Sequence, residues 1–124
     1  MGTWQVRRKI IDRFTASIVT FEGEAFITPA HFEEHGDTHH GSLALRSSRT
    51  YRLRREGDEV AVDFPDFREF VRVGYAASQR LEHRCGADDY TGRLFFRSLN
   101  AWAEIWHVRG PRKPYLSLAH YQRS

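Results

Sequence analysis

Alternation of apolar and polar residues recurs along nearly the whole chain, and it constrains the fold more than any other feature. Successive side chains of a β-strand point to opposite faces, so alternation with a period of two predicts strands with one buried face. The pattern runs through about nine short segments, separated by turn signals such as Glu56-Gly57-Asp58 and Pro65-Asp66. Evenly spaced short strands of this kind are typical of a β-sandwich or a β-barrel.

The alternation places the strands within narrow limits. It predicts strands at residues 14–27, 49–55, 60–64, 68–73, 81–85, 90–97, 102–108 and 115–122. Residues 35–41 are the stretch most typical of a loop, and a helix is plausible only around 6–13 or 74–80. Because no helices are available to cover sheet edges, we expect a closed antiparallel barrel of about 8–10 strands rather than a sandwich.

Length and composition limit the class of protein. A chain of 124 residues has the commonest size of one domain, predicted to span residues 1–124. A single cysteine, Cys85, excludes an intrachain disulfide and indicates a reducing, cytoplasmic compartment. Neither a secretory leader nor a membrane-spanning run is found. The net charge is +3, and the basic residues are interleaved with acidic ones, which argues against nucleic acid as a partner. A homodimer is possible.

The N-terminal tripeptide Gly2-Thr3-Trp4 resembles the Gly-x-Trp motif that opens lipocalins and related calycin barrels. The resemblance implies that the tryptophan plugs the closed end of a barrel, with an arginine from the last strands lying over its ring. Arg109 and Arg123 are the two candidates for that cation–π contact.

The C-terminal third resembles a bacterial domain-of-unknown-function family of small, lipocalin-like barrels. The resemblance rests on His83-x-Cys85, Asp88-x-Tyr90, Trp102, Trp106-x-Val108, the string Gly110-Pro111-Arg112-Lys113-x-Tyr115 and Tyr121-x-Arg123. Upstream it is supported by Phe21-x-Gly23-x-Ala25, Phe32-x-Glu34-x-Gly36, Arg49-x-Tyr51 and Phe70. Pro114 and Val71 depart from the family pattern, where an Asp and a His are usual. The resemblance implies the barrel fold but does not imply an activity.

Several polar and aromatic side chains fall on the strand faces predicted to point inward. Burying an unpaired charge in a filled core costs several kcal/mol, so an interior this polar predicts a wet or ligand-filled pocket. The predicted ligand-binding residues are Arg49, Tyr51, His83, Trp102, Trp106, Arg112, Lys113, Tyr115 and Tyr121. In the alternative interpretation, Glu34 pairs with Arg49, Glu104 pairs with an Arg or Lys, and the core is filled.

The string Gly110-Pro111-Arg112-Lys113 predicts a rigid turn that presents two adjacent cations at the barrel mouth. Such a pair could clamp a carboxylate or a phosphate. The competing interpretation is a structural corner, in which the arginine packs on Trp4 or caps backbone carbonyls.

Histidines form two further candidate sites. His83 and Cys85 share one strand face and could bind a metal, or His83 could act as a base, but neither has partners at diagnostic zinc spacing. His83 would also be the one axial candidate for a haem. His31, His35, His39 and His40 are interpreted as a solvated strand and loop. The sequence therefore predicts no metal site and no cofactor.

Three functional hypotheses remain. The first is a binding protein that holds a small, partly apolar, anionic molecule inside the barrel. The second is a barrel enzyme of the isomerase or cyclase type, with His83, Glu34 or Glu104 as the acid–base group and Tyr115 or Tyr121 as the donor. The third is an interaction module whose barrel is filled.

Overall fold

The computed structural model describes residues 2–111 and 114–124, and in them the chain forms ten antiparallel strands. The strands are β1 (Gly2–Asp12), β2 (Ile18–Ile27), β3 (His31–His40), β4 (Leu43–Glu56), β5 (Glu59–Asp63), β6 (Glu69–Val73), β7 (Ser78–Cys85), β8 (Asp88–Ser98), β9 (Ala101–Arg109) and β10 (Tyr115–Arg123). The described part holds no helix that could cross a membrane. The predicted all-β, lipocalin-like barrel is confirmed.

Each strand pairs with its neighbours in chain order except β6 with β7, and β1 pairs with β10 along nine residues. The order β6-β5-β4-β3-β2-β1-β10-β9-β8-β7 is that of an up-and-down barrel. All connections after odd-numbered strands therefore lie at one end, which we call the top. Connections after even-numbered strands lie with both termini at the other end, the base.

The barrel is nearly closed, and its one interruption is the seam between β6 and β7, which share no hydrogen-bonded ladder. The Gln79 side chain, near the start of β7, bonds to the connection that follows β6. Its amide oxygen accepts from Gly74 N at 2.8 Å, and its amide nitrogen donates to the carbonyls of Gly74 at 2.8 Å and Ala76 at 2.9 Å. One side chain thus satisfies backbone groups that a strand partner would otherwise satisfy.

The base is plugged by a compact cluster of Trp4, Val6, Phe21, Ala25, Ala119 and Tyr121. The Trp4 ring meets the Trp102 ring edge-on at 4.4 Å between centroids. The Arg123 guanidinium lies 4.6 Å from the centroid of the Trp4 ring. Of the two predicted candidates, Arg123 makes the cation–π contact, whereas Arg109 lies at the top end of β9 opposite Asp89.

The predicted loop at residues 35–41 is wrong, because β3 runs unbroken to His40 and pairs with both β2 and β4. The outward positions of β3 carry His31, Glu33, His35, Asp37 and His39, so its outer face is wholly polar. Backbone pairing on two sides holds a strand that the hydrophobic pattern alone does not reveal.

The other differences concern element boundaries. Residues 14–17 form a turn in which Asp12 accepts from Phe14 N at 2.8 Å, so the second strand begins at Ile18. Neither helix considered plausible is present, since 6–12 belong to β1 and 78–80 to β7. In both places sheet pairing prevails over local preference.

Candidate functional site

A cavity of about 610 Å³ occupies the lumen, and every strand contributes at least one side chain to its wall. The lining is mainly aromatic and aliphatic, as the inward faces of alternating strands predict. Its charged members are Arg8, Arg49, Arg68 and Glu104, joined by His83. The lumen is therefore open, and the hypothesis of a filled barrel loses its premise.

A row of three flat rings crosses the lumen. The Phe70 ring is stacked on Tyr51 at 5.8 Å between centroids with 10° between planes, and on Trp106 at 5.3 Å with 27°. Tyr51 stands on β4 and Trp106 on β9, two strands that lie on opposite sides of the ten-stranded order. Phe70 reaches inward from β6 at the seam and occupies a slot shaped for a flat ring.

His83 belongs to the aromatic group around Phe70. Its ring lies edge-on at 5.1 Å from Phe70, 5.7 Å from Phe64 and 5.8 Å from Tyr90. Within the described residues it makes ring contacts and no hydrogen bond. Burial raises the pKa of Tyr90, so this phenol stays neutral at physiological pH.

The floor of the cavity is a hydrogen-bonded cluster centred on Glu34, whose exposure is 1%. Arg8 donates to both Glu34 oxygens, at 2.6 and 3.1 Å, and the Tyr121 hydroxyl donates to Oε2 at 2.7 Å. Arg49 donates to the same oxygen at 3.4 Å and to the Tyr121 oxygen at 3.0 Å. We call Arg8, Glu34, Arg49 and Tyr121 the floor cluster.

Two opposing effects act on the charge of Glu34. Burial alone would raise the pKa of its carboxyl, but the hydrogen bond from Arg8 and the nearby positive charge of Arg49 outweigh burial and lower that pKa. Burial also raises the pKa of Tyr121 well above its ordinary value. At neutral pH the floor cluster therefore holds a carboxylate, a phenol and two guanidinium groups.

Arg49 is the member of the floor cluster that reaches furthest into the lumen. Its side chain is 37% exposed, against 10% for Arg8, and its guanidinium lies 5.4 Å from the centroid of the Tyr51 ring. Its buried Nε lies 3.2 Å from a Glu34 oxygen without hydrogen-bond geometry, so this donor stays unsatisfied.

Glu104 projects into the lumen from β9 between two tryptophans. One carboxylate oxygen accepts from Trp106 Nε1 at 3.0 Å, and the other accepts from Trp102 Nε1 at 3.3 Å. Trp102 in turn stacks on Tyr121 at 4.3 Å, which fixes the indole at the edge of the floor cluster. Within the described residues no cationic side chain forms an ion pair with Glu104.

The structure brings most of the predicted site residues to one cavity. Its lining includes Arg49, Tyr51, His83, Trp102, Glu104, Trp106 and Tyr115. Glu34 and Tyr121 lie beneath the lining, in the floor cluster. Arg112 and Lys113, the predicted anion clamp, lie outside the described residues.

Two central residues were missed as site residues. Arg8 shares the inward face of β1 with Trp4 and Val6, and that alternation could have identified it. Phe70 had no comparable signal, because its position between Tyr51 and Trp106 depends on how the barrel closes at the seam.

No group of three His, Cys, Asp or Glu side chains in residues 2–111 and 114–124 is placed to hold a metal ion. His83 and Cys85 both line the cavity, as their shared face predicts, but no further ligand joins them. His31, His35 and His39 lie on the outward face of β3, and His40 lies at its exposed end.

Comparison with known proteins supports the fold. A family model described as "Family of unknown function (DUF6314)" matches residues 1–123, whereas no curated protein matches. An S-type phycobiliprotein lyase from Guillardia theta superposes with a TM-score of 0.65 at 10% identity, over 100% of this chain and 88% of that one. A protein of unknown function from the DUF3598 family of Nostoc punctiforme gives 0.66 at 12% identity, over 100% of this chain and 47% of that one. At these identities the two structures indicate a shared barrel and nothing about its contents.

Proposed function

Because the chain belongs to the DUF6314 family, whose function is unknown, we propose a function from the cavity itself: the barrel binds a small, partly apolar molecule that carries an acidic group. The observation that carries this proposal is the open lumen of about 610 Å³, walled by aromatic rings and floored by arginines. Cavities of roughly 300–1,000 Å³ with an apolar wall and a few converging polar groups are typical of ligand sites.

The apolar part of the ligand would pack against the rings of Tyr51, Trp102 and Trp106. Each buried aromatic contact of this kind stabilises a complex by about 0.5–1.5 kcal/mol beyond the burial of its area. A ligand of matching shape gains dispersion contacts with the rings that line the cavity.

The acidic group would approach Arg49, the cation of the floor cluster that is exposed to the lumen. A planar guanidinium binds carboxylate, sulfonate and phosphate oxygens through charge-assisted hydrogen bonds. The stacking of Arg49 over Tyr51 orients the guanidinium at the side of the slot where the flat rings lie.

Catalysis has weaker support in this geometry. Glu34 is enclosed by two arginines and a phenol and does not line the cavity, so it is not placed to exchange a proton with a ligand. His83 lines the cavity but is oriented by ring contacts alone, whereas an effective general base is held by a hydrogen-bonding partner.

The test is a fluorescence titration with 1-anilinonaphthalene-8-sulfonate, an aromatic molecule that carries one acidic group. Leu53→Trp adds an indole to the lumen from β4, and Thr50→Trp adds the same ring on the outer face of that strand as a control. We expect the wild type and Thr50→Trp to bind one equivalent, and Leu53→Trp to bind at least about tenfold more weakly, a loss of 1.4 kcal/mol. Equal binding by a correctly folded Leu53→Trp would refute the proposal.

A further inference from the structure

The charged side chains in the lumen lining and directly beneath it nearly cancel. Arg8 and Arg49 supply two positive charges, and Glu34 beneath the lining and Glu104 in the wall supply two negative ones. Arg68, the remaining arginine of the lining, is paired with Asp66 at 2.7 Å. A ligand with only negative charge would thus face two carboxylates as well as two cations in and beneath this wall.

Glu104 is the unusual member of the set, because neutral donors alone hold it. A carboxylate has about four acceptor positions, and the two indole N–H groups use one position on each oxygen. The carboxylate also lines the cavity, so its remaining acceptor positions are available to a ligand. A partly desolvated carboxylate without a cationic partner is costly, and a further donor would reduce that cost.

Arg49 and Glu104 act on the same region of the lumen from opposite walls, β4 and β9. Burial tends to lower the pKa of Arg49, but the surrounding groups, Tyr121, Tyr51, Glu34 and Glu104 in that order, raise it well above the ordinary value. Glu104 is thus close enough to act on Arg49 electrostatically without forming an ion pair. Between them Tyr51 and Trp106 leave the slot that Phe70 occupies.

We propose that the ligand is an amphoteric flat aromatic molecule, whose acidic group binds Arg49 and whose N–H or ammonium group donates to Glu104. The inference rests on the proposed function and narrows its ligand class. The ring packs against the aromatic wall beside the slot that Phe70 occupies, and the donor group adds a further hydrogen bond to Glu104 beyond those from the two indole N–H groups.

Three matched naphthalene probes separate the contributions. Naphthalene-1-sulfonate carries the acid alone, 1-aminonaphthalene carries the N–H donor alone, and 5-aminonaphthalene-1-sulfonate carries both. We expect the wild type to bind the bifunctional probe at least about tenfold more tightly than either of the others, measured by calorimetry or probe fluorescence. This comparison needs no variant, so it does not depend on how a substitution affects folding.

Glu104→Gln then assigns the preference to one carboxylate. The variant removes the negative charge and keeps the side-chain volume, so we expect the advantage of 5-aminonaphthalene-1-sulfonate over naphthalene-1-sulfonate to fall to within about twofold. Naphthalene-1-sulfonate itself should bind the variant as tightly as the wild type or more tightly, because repulsion is removed. A collapsed pocket would instead weaken all three probes together.

The outcomes distinguish the inference from the function on which it rests. If none of the three probes nor 1-anilinonaphthalene-8-sulfonate binds the wild type, the proposed function itself fails. If naphthalene-1-sulfonate binds the wild type as tightly as the bifunctional probe, the amphoteric ligand is refuted and the pocket remains. An equal loss of all probes in Glu104→Gln would also overturn the role of Glu104.

Discussion

Glu34 shows how a single charge can be retained inside a barrel of 124 residues. An isolated carboxylate would not stay ionised at an exposure of 1%, since transfer of a charge to an apolar interior costs many kcal/mol. Here two guanidinium groups and one phenol hydroxyl fill its acceptor positions. Such clusters add little net stability when complete, but the loss of one member leaves the others buried and unpaired. Glu34 is therefore better understood as the support that positions Arg49 than as a reactive group.

The charge of Glu34 makes stability depend on pH. Its pKa is lower in the folded protein than the ordinary value of 4.5, so its contribution is fully present above about pH 4.5 and is lost as pH falls through the folded value. We expect Glu34→Gln to lower the free energy of unfolding at pH 7 by about 3–5 kcal/mol. When it is measured by urea denaturation, the free energy of unfolding of Glu34→Gln should decline less between pH 5 and pH 3 than that of the wild type.

Tyr121→Phe serves as the matched control for this cluster. It removes one hydroxyl from the same buried group without changing its charge, so we expect a loss of about 1–3 kcal/mol. Arg8 and Arg49 still lower the pKa of Glu34, so the acid response should lie between those of the wild type and Glu34→Gln. An unchanged acid response in Glu34→Gln would contradict the account of the floor cluster.

At the scale of the strand, close contact between a glycine and an aromatic ring sets the shape of the wall. Gly92 on β8 faces Trp106 on β9, and a Cβ at Gly92 would lie 2.7 Å from ring atoms of the indole. The missing side chain lets the indole lie against the sheet. The lumen next to Trp106 exists partly because position 92 carries no Cβ.

We expect Gly92→Ala to push the Trp106 indole toward Phe70 and to narrow the slot. Overpacking of this kind costs about 1–3 kcal/mol of stability, and binding of 1-anilinonaphthalene-8-sulfonate should fall severalfold. Thr91→Ala, at the outward neighbour on the same strand, should leave binding unchanged. Titration of both variants with 1-anilinonaphthalene-8-sulfonate checks this. If Gly92→Ala binds the probe as tightly as the wild type, the wall near Trp106 plays no part in binding.

How much the sequence predicts differs from element to element. Tyr51, His83 and Trp106 were assigned to the lumen correctly, because alternation fixes the face of each strand. β3 was partly missed because its outward residues are all polar, so a paired strand resembles a loop. The position of Phe70 could not be predicted at all, since it depends on which strands meet across the lumen after closure. Alternation reports the face of a strand but not its distant neighbours.

For the molecule as a whole, the seam between β6 and β7 is the weakest part of the wall. The other nine strand junctions are hydrogen-bonded ladders. At the seam, the Gln79 side chain and the hydrogen bond from Phe96 N to Ala77 O hold the connection between β6 and β7 in place. Regions with fewer backbone bonds open at lower free energy than the rest of a fold. Phe70, which occupies the slot, is carried by β6, one of the two seam strands.

We expect Gln79→Ala to destabilise the barrel by about 1–3 kcal/mol, because it leaves the backbone groups of Gly74 and Ala76 without their partner. Hydrogen exchange should become faster in β6 and β7 and stay unchanged in β1 and β2. Gln122→Ala, on an exposed position of β10, is the control. Uniformly faster exchange across all strands would contradict a local role for the seam.

The central claim is that the lumen holds a small molecule, and native mass spectrometry of protein purified from the organism that encodes it tests this most directly. Wild type and Leu53→Trp are compared, each beside a denatured sample of the same preparation. We expect the wild type to release a reproducible small mass on denaturation and Leu53→Trp, whose added indole narrows the lumen, to release less of it. An equal amount from both proteins, or a bare chain in both, would contradict a ligand site in the lumen.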